Sequence, residues 1–417
     1  MGMTISEKIL SKASETESYA GEFVTADIDF TMAQDGTAPL AIKAIRNMSE
    51  GKVWNPEKIA LVIDHTVPSS SIGTSTLHQM MREFAEEQEI KNFYYGEGIC
   101  HQIMVEYGHV LPNTVIVGAD SHTCTYGALG AFGTGIGSTE TAGVFLSGKL
   151  WFKIPQTIKF EITGKLPKRT TAKDLALKIV GEIGSDGATY KAVEYSGTPI
   201  KKMSVGERMT LSNLAVEMGA KTGIIEPDKK VKKYLKNRTN KKLELVANDD
   251  DAEFENVLDF DIGDLEPQIA CPHQVDNVVP VSEVEGVKVD QVFLGTCTNG
   301  RFEDLEAAAR ILKGKKVNSS TRMLVTPASR EVYMKAIDKG LIKIFLESGC
   351  TVSSPGCSAC AGSNIGILAP GETCLSTANR NFKGRMGSEE AEIYLGSAVT
   401  IAASAIKGEI TDPREVD

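Results

Sequence analysis

Ile59-Ala60-Leu61-Val62-Ile63-Asp64-His65 and Val115-Ile116-Val117-Gly118-Ala119-Asp120 are the two stretches that decide the fold. Each is a short apolar run, rich in β-branched residues, that ends on an ionisable side chain. Such runs read as strands buried on both faces. Between them, Leu77 to Gln88 has helical spacing. Strand alternating with helix predicts an α/β fold with a largely parallel sheet. In that architecture ligands gather at the carboxyl ends of strands. Both runs release polar residues there: Asp64-His65 and Asp120-Ser121-His122.

Outward from these runs, residues 127–137 read GALGAFGTGIG. The spacing predicts tight turns and close backbone packing ahead of a helix from about Ser138. A Walker-type phosphate loop would need Lys-Ser or Lys-Thr after the last glycine, and Gly137 is followed by Ser138-Thr139-Glu140. A boundary falls near Lys153-Ile154-Pro155, followed by strand-like Thr157 to Ile162. Residues 226–256 are charged and read as a solvated helix and loop. Beyond a second boundary near 285, Gln291 to Gly295 and Met323 to Thr326 read as strands, and Glu303 to Lys313 and Glu331 to Lys339 as helices. The chain therefore divides into α/β units at 1–154, 155–285 and 286–417.

The 417 residues carry a formal charge of −10. That balance argues against a nucleic-acid partner, which needs a basic face. It leaves room for a locally positive site that takes an anionic substrate. No run reaches the ~18 apolar residues of a membrane span, and the start lacks the apolar core of a secretion signal. The reading is a cytoplasmic protein with no membrane partner.

There are eight cysteines, at 100, 124, 271, 297, 350, 357, 360 and 374. Cys357-Ser358-Ala359-Cys360, after Pro355-Gly356, is a CxxC pair. It reads as a redox dithiol, half of a zinc site, or part of an iron–sulfur site. A thioredoxin-like pair would lie near the start of a domain. A structural zinc site usually wants a second close-set pair, and Cys350 and Cys374 stand singly. Cys297, in Gly295-Thr296-Cys297-Thr298-Asn299-Gly300, sits at a strand end and offers a third thiolate. Three thiolates on a cubane leave one iron open for a substrate oxygen.

Those two segments, with Asn379-Arg380-Asn381-Phe382-Lys383-Gly384-Arg385, resemble the signatures of the aconitase superfamily. Asp64-His65, Glu97-Gly98-Ile99-Cys100-His101-Gln102 and Gly118-Ala119-Asp120-Ser121-His122-Thr123 resemble the same family's amino-terminal motifs. The match spans nearly the whole chain in the right order. The length is similar to the large subunits of its two-subunit branch, the 3-isopropylmalate dehydratases and homoaconitases. There a separate small subunit carries the mobile swivel domain.

The resemblance implies three-layer α/β/α aconitase-like domains with the active site at their interface. It implies a [4Fe–4S] cluster on Cys297, Cys357 and Cys360. His65, paired with Asp64, would protonate the departing hydroxyl. His101, His122, Asp120 and Glu217 would hydrogen-bond hydroxyl or water at the cluster. Arg380 and Arg385 would grip substrate carboxylates, and Gln34, Ser121 and Asn213 would contact substrate. Asn213 and Glu217 are spaced i, i+4, which on a helix is one face. The family's base is a serine beside an arginine on the mobile domain. Ser329-Arg330 lies instead between the cluster cysteines and reads as a lookalike. The implied reaction is dehydration and rehydration of 2- and 3-isopropylmalate in leucine biosynthesis. Homocitrate-type or citramalate/methylmalate substrates are the near alternatives. A non-catalytic RNA-binding protein and a structural zinc protein are the more distant ones.

Overall fold

The apolar runs become the inner strands of parallel sheets. The computed structural model describes residues 2–48, 51–362 and 364–416. Ile59–Ile63 lies second in a five-stranded sheet, in the order Asn92–Tyr95, Ile59–Ile63, Phe30–Gln34, Val115–Gly118, Phe132–Gly135. Every neighbouring pair in it is parallel. Alternate residues of Ile59–Ile63 feed different cores. Ala60 and Val62 pack with Met104 and Tyr126, while Ile59, Leu61 and Ile63 pack with Ile42, Met81 and Phe145. Both faces are thus covered, which is why the run is apolar throughout.

The glycine-rich stretch forms more structure than turns. A 3₁₀ helix spans Ser121–Leu129, a strand Phe132–Gly135, and the helix Ser138–Ser147 follows. A Cβ at Gly135 would lie 2.6 Å from the Asp120 carbonyl oxygen. Glycine there lets the Asp120 loop lie directly on the edge strand.

A four-stranded parallel sheet follows, ordered Thr222–Ile224, Ala192–Ser196, Thr157–Thr163, Asn256–Asp261. The third sheet has seven strands, with Gln291–Leu294 between Thr373–Ser376 and Arg322–Val325. It begins at Gln268, ahead of the boundary read at 285, because Gln268–Ala270 and Val278–Pro280 pair antiparallel on its edge. On one face, Val292 and Leu294 pack with Leu305, Phe345 and Ile401 from three helices. On the other, Phe293 and Ile393 share one core with Leu175, Ile179 and Phe160 of the middle unit. The second and third sheets are therefore joined through a continuous apolar core. Among the described residues, no helix is long and apolar enough to cross a membrane.

Candidate active site

Gln34, Asp64-His65 and Asp120 leave the carboxyl ends of three adjacent strands of the first sheet. Cys297 and Asn379-Arg380 leave the carboxyl ends of two adjacent strands of the third. The two sets of strand ends meet. One ligand atom each of Asp64, His65 and Cys357 lie within 4.8 Å of one another. The Cys357 amide also donates to the Asp64 carbonyl at 2.8 Å.

The oxygen–nitrogen half of the site is a set of carboxylate–imidazole pairs. Asp64 Oδ1 lies 2.8 Å from His65 Nδ1, and Asp64 Oδ2 accepts the Cys100 amide at 2.6 Å. With Nδ1 engaged, Nε2 is the ring atom of His65 left for a ligand. It stands 4.0 Å from Asp120 Oδ2. Burial opposes protonation of His65, but the Asp64 charge, with hydrogen bonds to Asp35 and Asp64, raises its pKa well above the ordinary value.

Asp120 caps the 3₁₀ helix Ser121–Leu129 through the His122 amide, 2.9 Å away. Its Oδ1 is 2.9 Å from His101 Nε2, and its Oδ2 accepts from Gln34 Nε2 at 3.4 Å. His101 Nδ1 faces the Tyr126 hydroxyl at 3.3 Å. His122 Nε2 is 2.8 Å from Glu217 Oε1, and Arg380 Nε donates to both Glu217 oxygens at 2.8 and 3.0 Å. One network thus runs from Gln34 through Asp120 and the histidines to Glu217 and Arg380. Burial works against the charged carboxylates, but the imidazoles hold Asp120 well below its ordinary pKa. Glu217 is lowered by His122 and Arg380. Burial likewise opposes, and the two carboxylates raise, the pKa of His122.

Not every predicted residue lies where expected. Asn213 ends the helix Val205–Leu214, while Glu217 lies in the following 3₁₀ turn, Ala215–Met218. They serve different neighbours. Asn213 is fully buried, and its amide donates to Thr125 Oγ1 at 2.7 Å and to Cys297 Sγ at 3.2 Å. Its carbonyl accepts from Asn379. All of its polar atoms are used inside the protein. Arg385 Nη2 faces the Cys360 sulfur at 3.7 Å. Arg380 spends its Nε on Glu217, leaving its Nη groups for a carboxylate. Ser121 opens its 3₁₀ helix at partial exposure. Ser329 is fully buried, caps the helix Arg330–Asp338 and donates to Glu106 at 2.8 Å. Arg330 pairs with Glu97. That pair has structural work in the fold.

One residue was missed. Buried Asp35 accepts the amides of Asp64, His65 and Thr66 at 3.2, 2.9 and 2.9 Å, and contacts His78 Nε2 at 3.2 Å. Burial opposes its charge, but hydrogen bonds from His65 and His78 hold its pKa far below the carboxylate range. Asp35 thereby fixes the turn that presents His65. The sequence signal was its place beside Gln34 at a strand end.

The sulfur half is built differently. Cys297 lies in the short helix Thr296–Asn299, and Cys357 precedes the 3₁₀ turn Ser358–Ala361 that holds Cys360. Thr296 and Ser358 have φ of +74° and +54°, a left-handed conformation that costs energy outside glycine. Both flank a cysteine of the site. Asn379 Oδ1 lies 3.7 Å from the Cys297 sulfur and 4.0 Å from that of Cys360. Asn379 Nδ2 donates to Cys297 Sγ at 3.3 Å. Seven of the eight cysteines have raised pKa values, Cys297 being pushed to about 11 by burial and the Cys360 charge. Cys360 alone is lowered, by its hydrogen bond with Cys357 and, against burial, by the Arg385 guanidinium.

Residues 7–408 match the profile of the aconitase family (aconitate hydratase). The chain belongs to that family. It is 56% identical, over 99% of both chains, to the "Probable 3-isopropylmalate dehydratase large subunit" of Methanothermobacter thermautotrophicus. It is 54% identical to the "Probable methanogen homoaconitase large subunit" of Methanosarcina mazei, over 94% of this chain and all of that one. Among solved structures it resembles the holo-form of Thermococcus kodakaraensis aconitase X in fold. The TM-score is 0.50 at 12% identity, covering 94% of this chain and 97% of that one.

Aconitase-family proteins bind iron–sulfur clusters, and the sulfur half suits one. The buried sulfurs of Cys297 and Cys360 lie 3.7 and 4.0 Å from one Asn379 oxygen and Cys357 is hydrogen-bonded to Cys360, with amide N–H groups directed at the Cys297 sulfur and a guanidinium at that of Cys360. N–H donors and a cation around sulfur favour the thiolate form that metals require.

Proposed function

We propose that this chain is the cluster-binding large subunit of a two-subunit hydro-lyase that interconverts 2-isopropylmalate and 3-isopropylmalate. Cys297, Cys357 and Cys360 would hold a [4Fe–4S] cluster. When bound, its iron without a protein thiolate supplies a Lewis acid for the substrate hydroxyl and one carboxylate.

The protein's own groups do the rest. His65, kept protonated by Asp64, gives its Nε2 proton to the departing hydroxyl as the C–O bond breaks, and water leaves. The base that takes the α-proton belongs to the small subunit, since Ser329 is committed to a helix cap. Rehydration reverses both transfers at the neighbouring carbon. Asp120 with His101, and Glu217 with His122, orient hydroxyl or water between them. The free Nη groups of Arg380 grip the carboxylate farther from the cluster, while Arg385 serves the Cys360 side.

The observation that carries this reading is the placing of the Cys357 sulfur within 4.8 Å of the Asp64-His65 pair. A proton donor and a cluster ligand share one pocket. The 54%-identical homoaconitase relative keeps homocitrate-type substrates as a second reading. The test is anaerobic reconstitution of the chain, mixing with candidate small subunits, and assay on isopropylmalate, homocitrate and citramalate. Turnover of isopropylmalate by the mixture and none by the chain alone is expected. Activity of the isolated chain would overturn the assignment of the base.

A further inference from the structure

Two cations are buried beside the Cys297 turn without an ion-pair partner. Arg301 is 4% exposed and Lys173 0%. Among the described residues, neither has a carboxylate oxygen within the 4.0 Å of an ion pair. Both bond neutral groups instead. The Arg301 guanidinium donates to the carbonyls of Cys297 and Thr298, to Gln102 Oε1 at 3.2 Å and to Thr210 Oγ1 at 3.4 Å. Lys173 Nζ donates to the carbonyls of Ala378 and Thr377 at 2.8 and 3.2 Å. Asp304, buried nearby, takes the Arg301 backbone amide at 3.1 Å and the Asn299 amide at 2.8 Å, and its charge interacts with both cations without forming an ion pair with either.

A buried charge is costly unless opposite charge lies nearby. The carbonyls these cations hold belong to a cluster cysteine and to the residues just before Asn379, which donates to the same cysteine sulfur. Arg301 also ties that turn to Gln102, next to His101, and to Thr210, one helical turn before Asn213.

We propose that Arg301 and Lys173 are paired positioning cations. They clamp the two turns that frame Cys297, and their charge offsets the negative charge of the three-thiolate site, raising the reduction potential of the group held there. This rests on the cluster reading above. Neither residue touches substrate. Arg301 acts through the carbonyls of Cys297 and Thr298, Lys173 through those of Thr377 and Ala378, and both through their field, which is strong in a dry interior.

The test is an anaerobic redox titration of the reconstituted chain, followed by electron paramagnetic resonance, with iron and sulfide counted in each sample. Arg301→Met and Lys173→Met should each shift the midpoint potential downward, and Arg301→Lys and Lys173→Arg should restore most of it. Arg301→Gln, which keeps an amide donor toward the same carbonyls without the charge, should shift it the same way. That variant keeps the test alive if the methionine variants fail to fold. A potential unmoved in Arg301→Gln, or equal shifts in the charge-removing and charge-keeping variants, would overturn the inference. Absence of any iron–sulfur cluster in the unmodified chain would instead overturn the cluster reading on which it rests.

Discussion

The two halves of the site reach order by opposite means. In the oxygen–nitrogen half each carboxylate already has an imidazole: Asp64 with His65, Asp120 with His101, Glu217 with His122. Each carboxylate has its ring partner inside the chain, and geometry is set before any ligand arrives. In the sulfur half the thiols are met by amide donors and the Arg385 guanidinium, with Arg301 and Lys173 behind the Cys297 turn. Acid–base chemistry needs groups fixed in advance. Cluster chemistry needs ligands whose deprotonation is driven by what they bind.

The sharpest way to break that contrast is Cys360→Ser. Iron and sulfide content should collapse, and turnover in the assembled enzyme should fall on the order of 10³-fold or more, with the carboxylate–imidazole pairs intact. Asp64→Asn should do the reverse. Cluster content should hold while kcat drops about 10²–10⁴-fold, because His65 loses the charge that raises its pKa.

Asp35→Asn tests how far the oxygen half is fixed in advance. It removes the charge that faces His65 and His78 and should cost about 3–5 kcal/mol, measured by denaturant unfolding. The sign with pH follows from the lowered pKa values of Asp35 and Asp120. The stability they contribute is present above the ordinary carboxylate range and is lost as pH falls through and below it. The acid limb of a melting-temperature profile should flatten in Asp35→Asn. His65 runs the other way. Its pKa is raised by the Asp64 charge against burial, so turnover should fall as pH rises through that raised value. Asp64→Asn should bring that alkaline limb to lower pH. The smallest effect belongs to a site outside both halves. Glu182→Ala, which breaks the exposed Lys178–Glu182 pair, should change stability by no more than about 0.5 kcal/mol.

How much of this was legible in the sequence depends on what carried it. Strands buried on both faces print themselves as apolar runs, so Ile59–Ile63 and Val115–Gly118 were readable, and so was the strand-end placing of Asp64 and Asp120. Gln268–Ala270 and Val278–Pro280 were not, because strands of three residues on an edge leave no period to read. Asp35 and His78 meet across 43 positions, a contact no local pattern encodes. Arg301 and Lys173 were hidden for another reason. A charged residue in a helical stretch reads as solvent-facing, and only packing reveals it as buried. Asn213 was located by its motif, but the match gave no hint that every polar atom would be spent on sulfur and neighbouring amides.

A Cβ at Gly356 would come within 2.8 Å of the Asp64 carbonyl oxygen that the next amide, that of Cys357, bonds. The gap between the Asp64-His65 turn and Cys357 is therefore set by main chain against main chain. Side-chain drift around the pocket leaves that spacing untouched. On the proposed reading, one hydroxy acid could replace another without altering that spacing, provided position 356 keeps its glycine.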